Sequence, residues 1–162
     1  MVRDCIVGKD TTINASQVNE STIGSHTTVG PFTYVRPNCR IGDHCRVGDF
    51  VEVKNSVIGD GTKISHLTYV GDSDVGQRVN FGCGTVTTNY DGHKKHRCTI
   101  GDDVFLGCNT NLIAPVTVED RAYTAAGSTV TDDVPEGALA IARQRQTNIR
   151  GWADRLRKTW KK

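Results

Sequence analysis

The run Ile23-Gly24-Ser25-His26-Thr27-Thr28-Val29-Gly30-Pro31-Phe32-Thr33-Tyr34-Val35-Arg36-Pro37-Asn38-Cys39-Arg40-Ile41-Gly42 places an aliphatic side chain at every sixth position. The period continues to Val47 and Val53, slips by one residue to Ile58, Ile64 and Val70, and slips again to Val75 and Phe81. After an interruption it resumes at Ile100, Leu106, Leu112, Val118, Thr124 and Val130. Self-similarity at a fixed short period is the mark of a repeat architecture. Glycine follows the aliphatic residue at Gly24, Gly30, Gly42, Gly48, Gly59, Gly71, Gly76, Gly82, Gly101 and Gly107. A residue without Cβ can take turn conformations that others resist, so each unit reads as a short strand plus a bend.

Two positions before each aliphatic residue stands a small or apolar one: Thr27, Thr33, Cys39, Cys45 and Val51 early, then Val104, Thr110, Val116, Ala122 and Ser128. Alternate residues of a strand share a face, so both positions point the same way, and that face is the interior. A helix would need spacings of three and four and an Ala-, Leu- and Glu-rich composition, which excludes it here. Three six-residue sides make an eighteen-residue coil, and stacked coils pair strand on strand. The repeat resembles that of left-handed parallel β-helices; the hand comes from this likeness, since periodicity does not show it. The expected class is therefore all-β, a left-handed parallel β-helix.

The chain has 162 residues, room for one domain. Its 20 Lys+Arg against 18 Asp+Glu leave a net charge of +2, too little for a protein that holds nucleic acid. Charges at Arg3, Asp4, Lys9 and Asp10 break the opening segment, so neither a signal peptide nor a membrane span is expected, and the protein reads as cytoplasmic. The cysteines Cys5, Cys39, Cys45, Cys83, Cys98 and Cys108 lack C-x-x-C spacing and read as small buried reduced thiols.

The longest break in the period runs from Thr87 to Arg97, through Asn89-Tyr90-Asp91-Gly92 and the cations Lys94, Lys95 and Arg97. Loops that interrupt a solenoid project outward and often carry function. Basic residues beside an aromatic suit an anion bearing a flat group, such as a nucleotide-containing cofactor. A filled prism has no cavity of its own, so a binding site must lie outside it, most simply against a neighbouring subunit.

Beyond the repeat, Arg36-Pro37, Lys54, His66-Leu67-Thr68-Tyr69-Val70-Gly71-Asp72, Val79-Asn80-Phe81-Gly82-Cys83-Gly84-Thr85, Asn89-Tyr90-Asp91-Gly92, Gly101-Asp102-Asp103-Val104-Phe105 and Leu139-Ala140-Ile141-Ala142-Arg143 occur in one order. From about Ile23 to Trp152 the chain resembles the C-terminal domain of the bifunctional N-acetylglucosamine-1-phosphate uridyltransferase and glucosamine-1-phosphate acetyltransferase family. The resemblance implies transfer of an acetyl group from acetyl-CoA to the amine of an amino-sugar phosphate, without a metal, in a homotrimer with its sites between subunits and no membrane partner. It makes His66 the general base. This is a role for imidazole, the side chain that ordinarily titrates nearest neutral pH. Arg36 and Lys54 would hold the sugar phosphate, and Tyr69 and Asn80 the sugar. Cys83 would present its backbone N–H to the thioester oxygen. Asn89, Tyr90, Cys108, Ala126 and Arg143 would contact acetyl-CoA, and Lys95 the cofactor or a neighbour's sugar phosphate. Taken singly, each of these would read as an ordinary surface residue.

Ser65 stands where the family usually has Gly, and Cys108 where Ser is common. The family's nucleotidyltransferase domain has no counterpart here, so uridyl transfer is not expected. Residues 1–143 read as the β-helix, with the extended loop 87–97. Residues 144–162 read as a tail capping the open end of the solenoid through Trp152 and Trp160, among Arg155, Arg157, Lys158, Lys161 and Lys162. Three other functions fit the pattern less well: a related acyltransferase acting on another amino sugar or a nucleotide sugar, a non-catalytic partner of a separate nucleotidyltransferase, and a metal-dependent carbonic anhydrase-like protein. The last would need three converging histidines, and only His26 and His44 share the spacing.

Overall fold

A computed structural model describes residues 1–160; Lys161 and Lys162 of the basic tail lie outside the described residues. The chain winds into a left-handed parallel β-helix with three faces. Every strand pairing is parallel. The first face stacks seven short strands, from Ile6–Val7 to Val116–Val118. The second runs from Thr12–Ile13 to Leu139–Ala140 and the third from Val2–Arg3 to Thr129–Val130. These two are joined by a pair of nine-residue strands, Arg46–Lys54 and Lys63–Gly71, which pass through the corner between them.

The phase slips are coils of different length. Thr22 pairs with Arg40, a full eighteen-residue coil, but Val57 pairs with Asp74 and Ile6 with Thr22, coils shorter by one and two. Between Asp74 and Thr99 the coil swells by the loop insertion. All the periodic residues from Ile23 to Val130 are buried, as are the small residues two before them. Each aliphatic side chain contributes roughly 1.5 to 3 kcal/mol by leaving water. Buried threonines are satisfied by the next coil: Thr27 Oγ1 donates to the Gly42 carbonyl at 2.9 Å and accepts from Cys45 N–H at 3.0 Å. Among the described residues no buried side-chain nitrogen or oxygen lacks a partner.

Three sequence expectations are corrected. The glycines after the aliphatic residues, Gly30 apart, do not occupy left-handed backbone. They are close-approach positions. A Cβ on Gly24, Gly42, Gly76 or Gly101 would strike the carboxylate of Asp43, Asp60, Asp102 or Asp120, which reaches across from the next coil. Those carboxylates accept the N–H groups of Ser25, Asp43, Gln77 and Asp102 at 2.6 to 2.8 Å. The left-handed corners fall instead on side-chain-bearing residues, among them His26, His44, Phe32, Phe50 and Asn109. Secondly, Cys83 and Cys108 are exposed, whereas Cys39, Cys45 and Cys98 are buried as expected and Cys5 is half-buried. Thirdly, the tail forms a helix over Trp152–Thr159 with no buried residue, and Trp152 and Trp160 stand exposed, so within one chain they cap nothing. Among the described residues no helix is long and apolar enough to cross a membrane.

Candidate active site

His66 sits where the strand Lys63–Gly71 turns the corner between the second and third faces. Its Cα partner one coil earlier is Asp49, and the imidazole Nδ1 lies 2.8 Å from the Asp49 carboxylate. That contact holds the Asp49 carboxyl below its usual range. An ionised Asp49 can only accept, so Nδ1 donates to it, and Nε2 is the ring nitrogen left uncommitted on a half-exposed side chain. The Thr68 hydroxyl donates to the His66 carbonyl at 2.7 Å and fixes the backbone beneath it.

The same corner carries Cys83, Cys108, Ala126 and Arg143 on successive coils above His66. The Asn109 N–H donates to the Cys83 carbonyl, and the Gly127 N–H to that of Cys108, both at 2.8 Å. The Arg143 side chain closes over Gly127. Three small residues beneath an arginine make a smooth edge that a narrow chain with an anionic end can lie along.

The opposite end of the third face holds a second cluster. Arg36, Lys54 and Lys95 line a hollow of about 370 Å³ with Asn38, Asn55 and Asp72. Asp72 is buried beneath it and accepts from Asn55 at 2.6 Å, from Lys54 at 3.2 Å and from Asn89. Burial alone would lift the Asp72 carboxyl, yet these donors hold it below the ordinary range. Burial likewise disfavours the Lys54 ammonium, but its hydrogen bond to Asp72 and that carboxylate's charge leave it raised. Lys95 is lowered by its contact with Lys54 and by that group's charge. Arg36 is braced by Glu52 at 3.0 Å, which raises it. Cations crowded against each other with their inner carboxylate already engaged present a seat for an anion. Tyr69 lies between the two clusters, its ring packed over Gly71, where a Cβ would strike it, and its hydroxyl 3.4 Å from Asn89.

The sequence-selected residues thus fall into two groups, with Tyr69 between them and Tyr90 and Asn80 apart. Cys83, Cys108, Ala126 and Arg143 share the His66 corner; Arg36, Lys54 and Lys95 share the hollow. Asn89 is buried beneath that hollow, and Tyr90 closes its own loop by donating to the Gly92 carbonyl at 2.7 Å, so neither reaches the Cys83 line within one chain. Asn80 stands on the second face, paired with Lys63 and Phe105. Arg97 is not free for an anion, because it grips Asp74 at 2.6 and 3.0 Å and donates to the Asn55 carbonyl at 3.1 Å. Asp49 and Asp72 went unselected in the sequence. Each lies about one coil from a selected residue, and coil arithmetic would have found both. His26 and His44 do stack, 4.9 Å between ring centres, but among the described residues no three metal-ligating side chains converge.

The coil geometry and repeat define the class: a hexapeptide-repeat protein of the left-handed β-helix fold. The family model described as bacterial transferase hexapeptide (six repeats) matches residues 20–55 and 97–132. Within that class the chain is 60% identical over 149 residues to the bifunctional protein GlmU of Clostridium perfringens, an overlap of 92% of this chain and 33% of that protein. With GlmU of Clostridium acetobutylicum it shares 57% over 154 residues, 95% of this chain and 34% of that one. The chain spans about a third of the length of these relatives. Among solved structures, a histidine-to-alanine mutant of GDP-perosamine N-acetyl transferase from Caulobacter crescentus, in complex with CoA and GDP-perosamine, superposes with a TM-score of 0.64 at 26% identity, covering 72% of this chain and 53% of that one. UDP-N-acetylglucosamine acyltransferase from Campylobacter jejuni shares the fold, with a TM-score of 0.59 at 17% identity over 98% of this chain and 81% of that one.

Proposed function

We propose that this chain transfers the acetyl group of acetyl-CoA to the amine of glucosamine 1-phosphate, as a cytoplasmic homotrimer and without a metal. One observation carries the reading: a histidine whose Nδ1 is committed to Asp49 stands at the foot of an edge of small residues, on the same face as a three-cation hollow. The neutral sugar amine attacks the thioester carbonyl carbon, forming the C–N bond, while His66 Nε2 accepts the amine proton. Oxygen gathers negative charge and is met by the Cys83 N–H. The intermediate collapses, the C–S bond breaks, and the coenzyme A thiolate leaves with the proton held by His66. Asp49 keeps its carboxylate throughout and stabilises the transient imidazolium. Arg36, Lys54 and Lys95 supply the sugar-phosphate seat, where an anion relieves the repulsion between the two ammonium groups.

Release of free thiol from acetyl-CoA in the presence of glucosamine 1-phosphate tests the reaction. His66→Ala is expected to lower kcat by roughly 10²- to 10⁴-fold with the oligomer intact; an unchanged rate rejects the base assignment. A second acceptor is favoured by the Caulobacter relative, which was crystallised with a nucleotide-linked amino sugar. Faster thiol release with such a sugar than with the sugar phosphate would replace the acceptor and leave the chemistry standing.

A further inference from the structure

Cys83 and Cys108 are the two cysteines the fold leaves exposed, and they occupy one corner on successive coils. The register Asn80↔Phe105 and Phe81↔Leu106 continues into that corner, where the Asn109 N–H reaches the Cys83 carbonyl at 2.8 Å, so the two cysteines stand opposite each other. Adjacent strands lie about 4.8 Å apart. That spacing is inside the range of roughly 4.4 to 6.8 Å between Cα atoms over which a disulfide closes. Gly82 keeps the coils this close, since a Cβ there would strike the Cys108 nitrogen. The other thiols are occupied or sealed. Cys5 Sγ contacts the Arg3 and Val18 carbonyls, burial raises Cys39 and Cys45, and burial takes Cys98 to about 11.

We infer that Cys83 and Cys108 form a reversible dithiol site that reacts with organic disulfides of small thiols, and that closing it shuts the thioester end of the active site. The second half rests on the placement of acetyl-CoA along this corner; the first does not. In the first step one cysteine thiolate attacks a sulfur of the small disulfide. The S–S bond breaks, one small thiol leaves with the proton the cysteine gave up, and a mixed disulfide remains. The second cysteine then attacks the protein-bound sulfur and expels the other small thiol. Two protein thiols are oxidised and one organic disulfide is reduced to two thiols. The product bridges the corner at the level where the Cys83 N–H would meet the thioester oxygen, and reduction reopens it.

Coenzyme A disulfide is the probe. After incubation and acid quench, the intact mass of the protein is expected to fall by two hydrogens with no adduct retained, and fragmentation should map the bond to Cys83 and Cys108. Cys83→Ser and Cys108→Ser should each keep one coenzyme A as a mixed disulfide on the remaining exposed thiol, and dithiothreitol should reverse all three products. Thiols left unmodified, or two stable adducts without a bridge, overturn the dithiol. Acetyl transfer by the bridged protein should drop to background and return on reduction. A bridged protein that transfers at full rate overturns the closure. No transfer even when fully reduced, with the bridge still forming, sinks the proposed reaction and leaves the dithiol standing.

Discussion

At the level of single residues, the side chains that hold the site are mostly carboxylates. Asp49 touches no reacting atom in the proposed scheme and acts through His66, so its contribution should appear in turnover. Asp49→Asn is expected to lower kcat by about tenfold or more while KM for acetyl-CoA stays put, because the amide no longer stabilises the imidazolium; a rise in KM with constant kcat would assign Asp49 to binding. Asp72 is a structural anchor with three donors and a nearly buried side chain. Its carboxyl is depressed in the fold, so it contributes stability that is fully present above the ordinary carboxylate value of 3.8 and lost as pH falls through the lower folded value. Asp72→Asn should therefore destabilise by about 2 kcal/mol near neutral pH, and the gap from the native protein should shrink as pH drops below 3.8. Thermal unfolding from pH 7 to pH 2 reads both. A gap that persists in acid would mean that packing, not charge, anchors this position.

Between residue and molecule, the coil corners and the one long loop obey different constraints. At Gly82 the backbone of the next coil is already in contact, so Gly82→Ala forces coils apart and is expected to cost about 1 to 3 kcal/mol. Gly92, at the loop tip, has open space around it but a φ of 95°, so Gly92→Ala meets backbone strain alone, about 1 kcal/mol. Differential scanning calorimetry should rank the two in that order; the reverse ranking would move the stress from the coil stack to the loop. The strand period was legible in the sequence because burial is periodic: Ile23 to Val130 announce the interior at every sixth position. The reason for the glycines was not. It lies mostly in the next coil, in a carboxylate at Gly24, Gly42, Gly76 and Gly101 and in backbone at Gly59, Gly82 and Gly107, contacts far along the chain that no local propensity encodes. The site divides the same way. Arg36, Lys54 and His66 were found through resemblance, while their partners Glu52, Asp72 and Asp49 follow only once the coil length is known. Arg97 was misassigned because its partner Asp74 sits on the preceding rung of the first face, and sequence distance concealed the pair.

For the whole molecule, the decisive geometry is that a three-sided prism cannot turn two of its faces toward one small ligand. Arg36, Lys54 and Tyr69 belong to the third face, whereas Asn80 leaves the second. If Asn80 and Lys54 both serve one sugar phosphate, they come from different chains, and a closed ring of three places such a site at each junction. The consequence is complementation. Asn80→Ala and Lys54→Ala proteins should each lose most acetyl transfer as homotrimers. Co-expressed one to one, they assemble mixed rings in which a junction is intact whenever a Lys54→Ala chain offers its Asn80 to the third face of an Asn80→Ala chain. Random assembly makes about a quarter of all junctions intact, so the whole co-expressed population should recover about a quarter of native thiol release, and purified rings that hold both variants about a third. Purified trimers of the two variants, combined without subunit exchange, should recover none. Mixed rings as inactive as their parents would place Asn80 and Lys54 in the same chain's site, and the prism would then have to bind its substrate around a single corner.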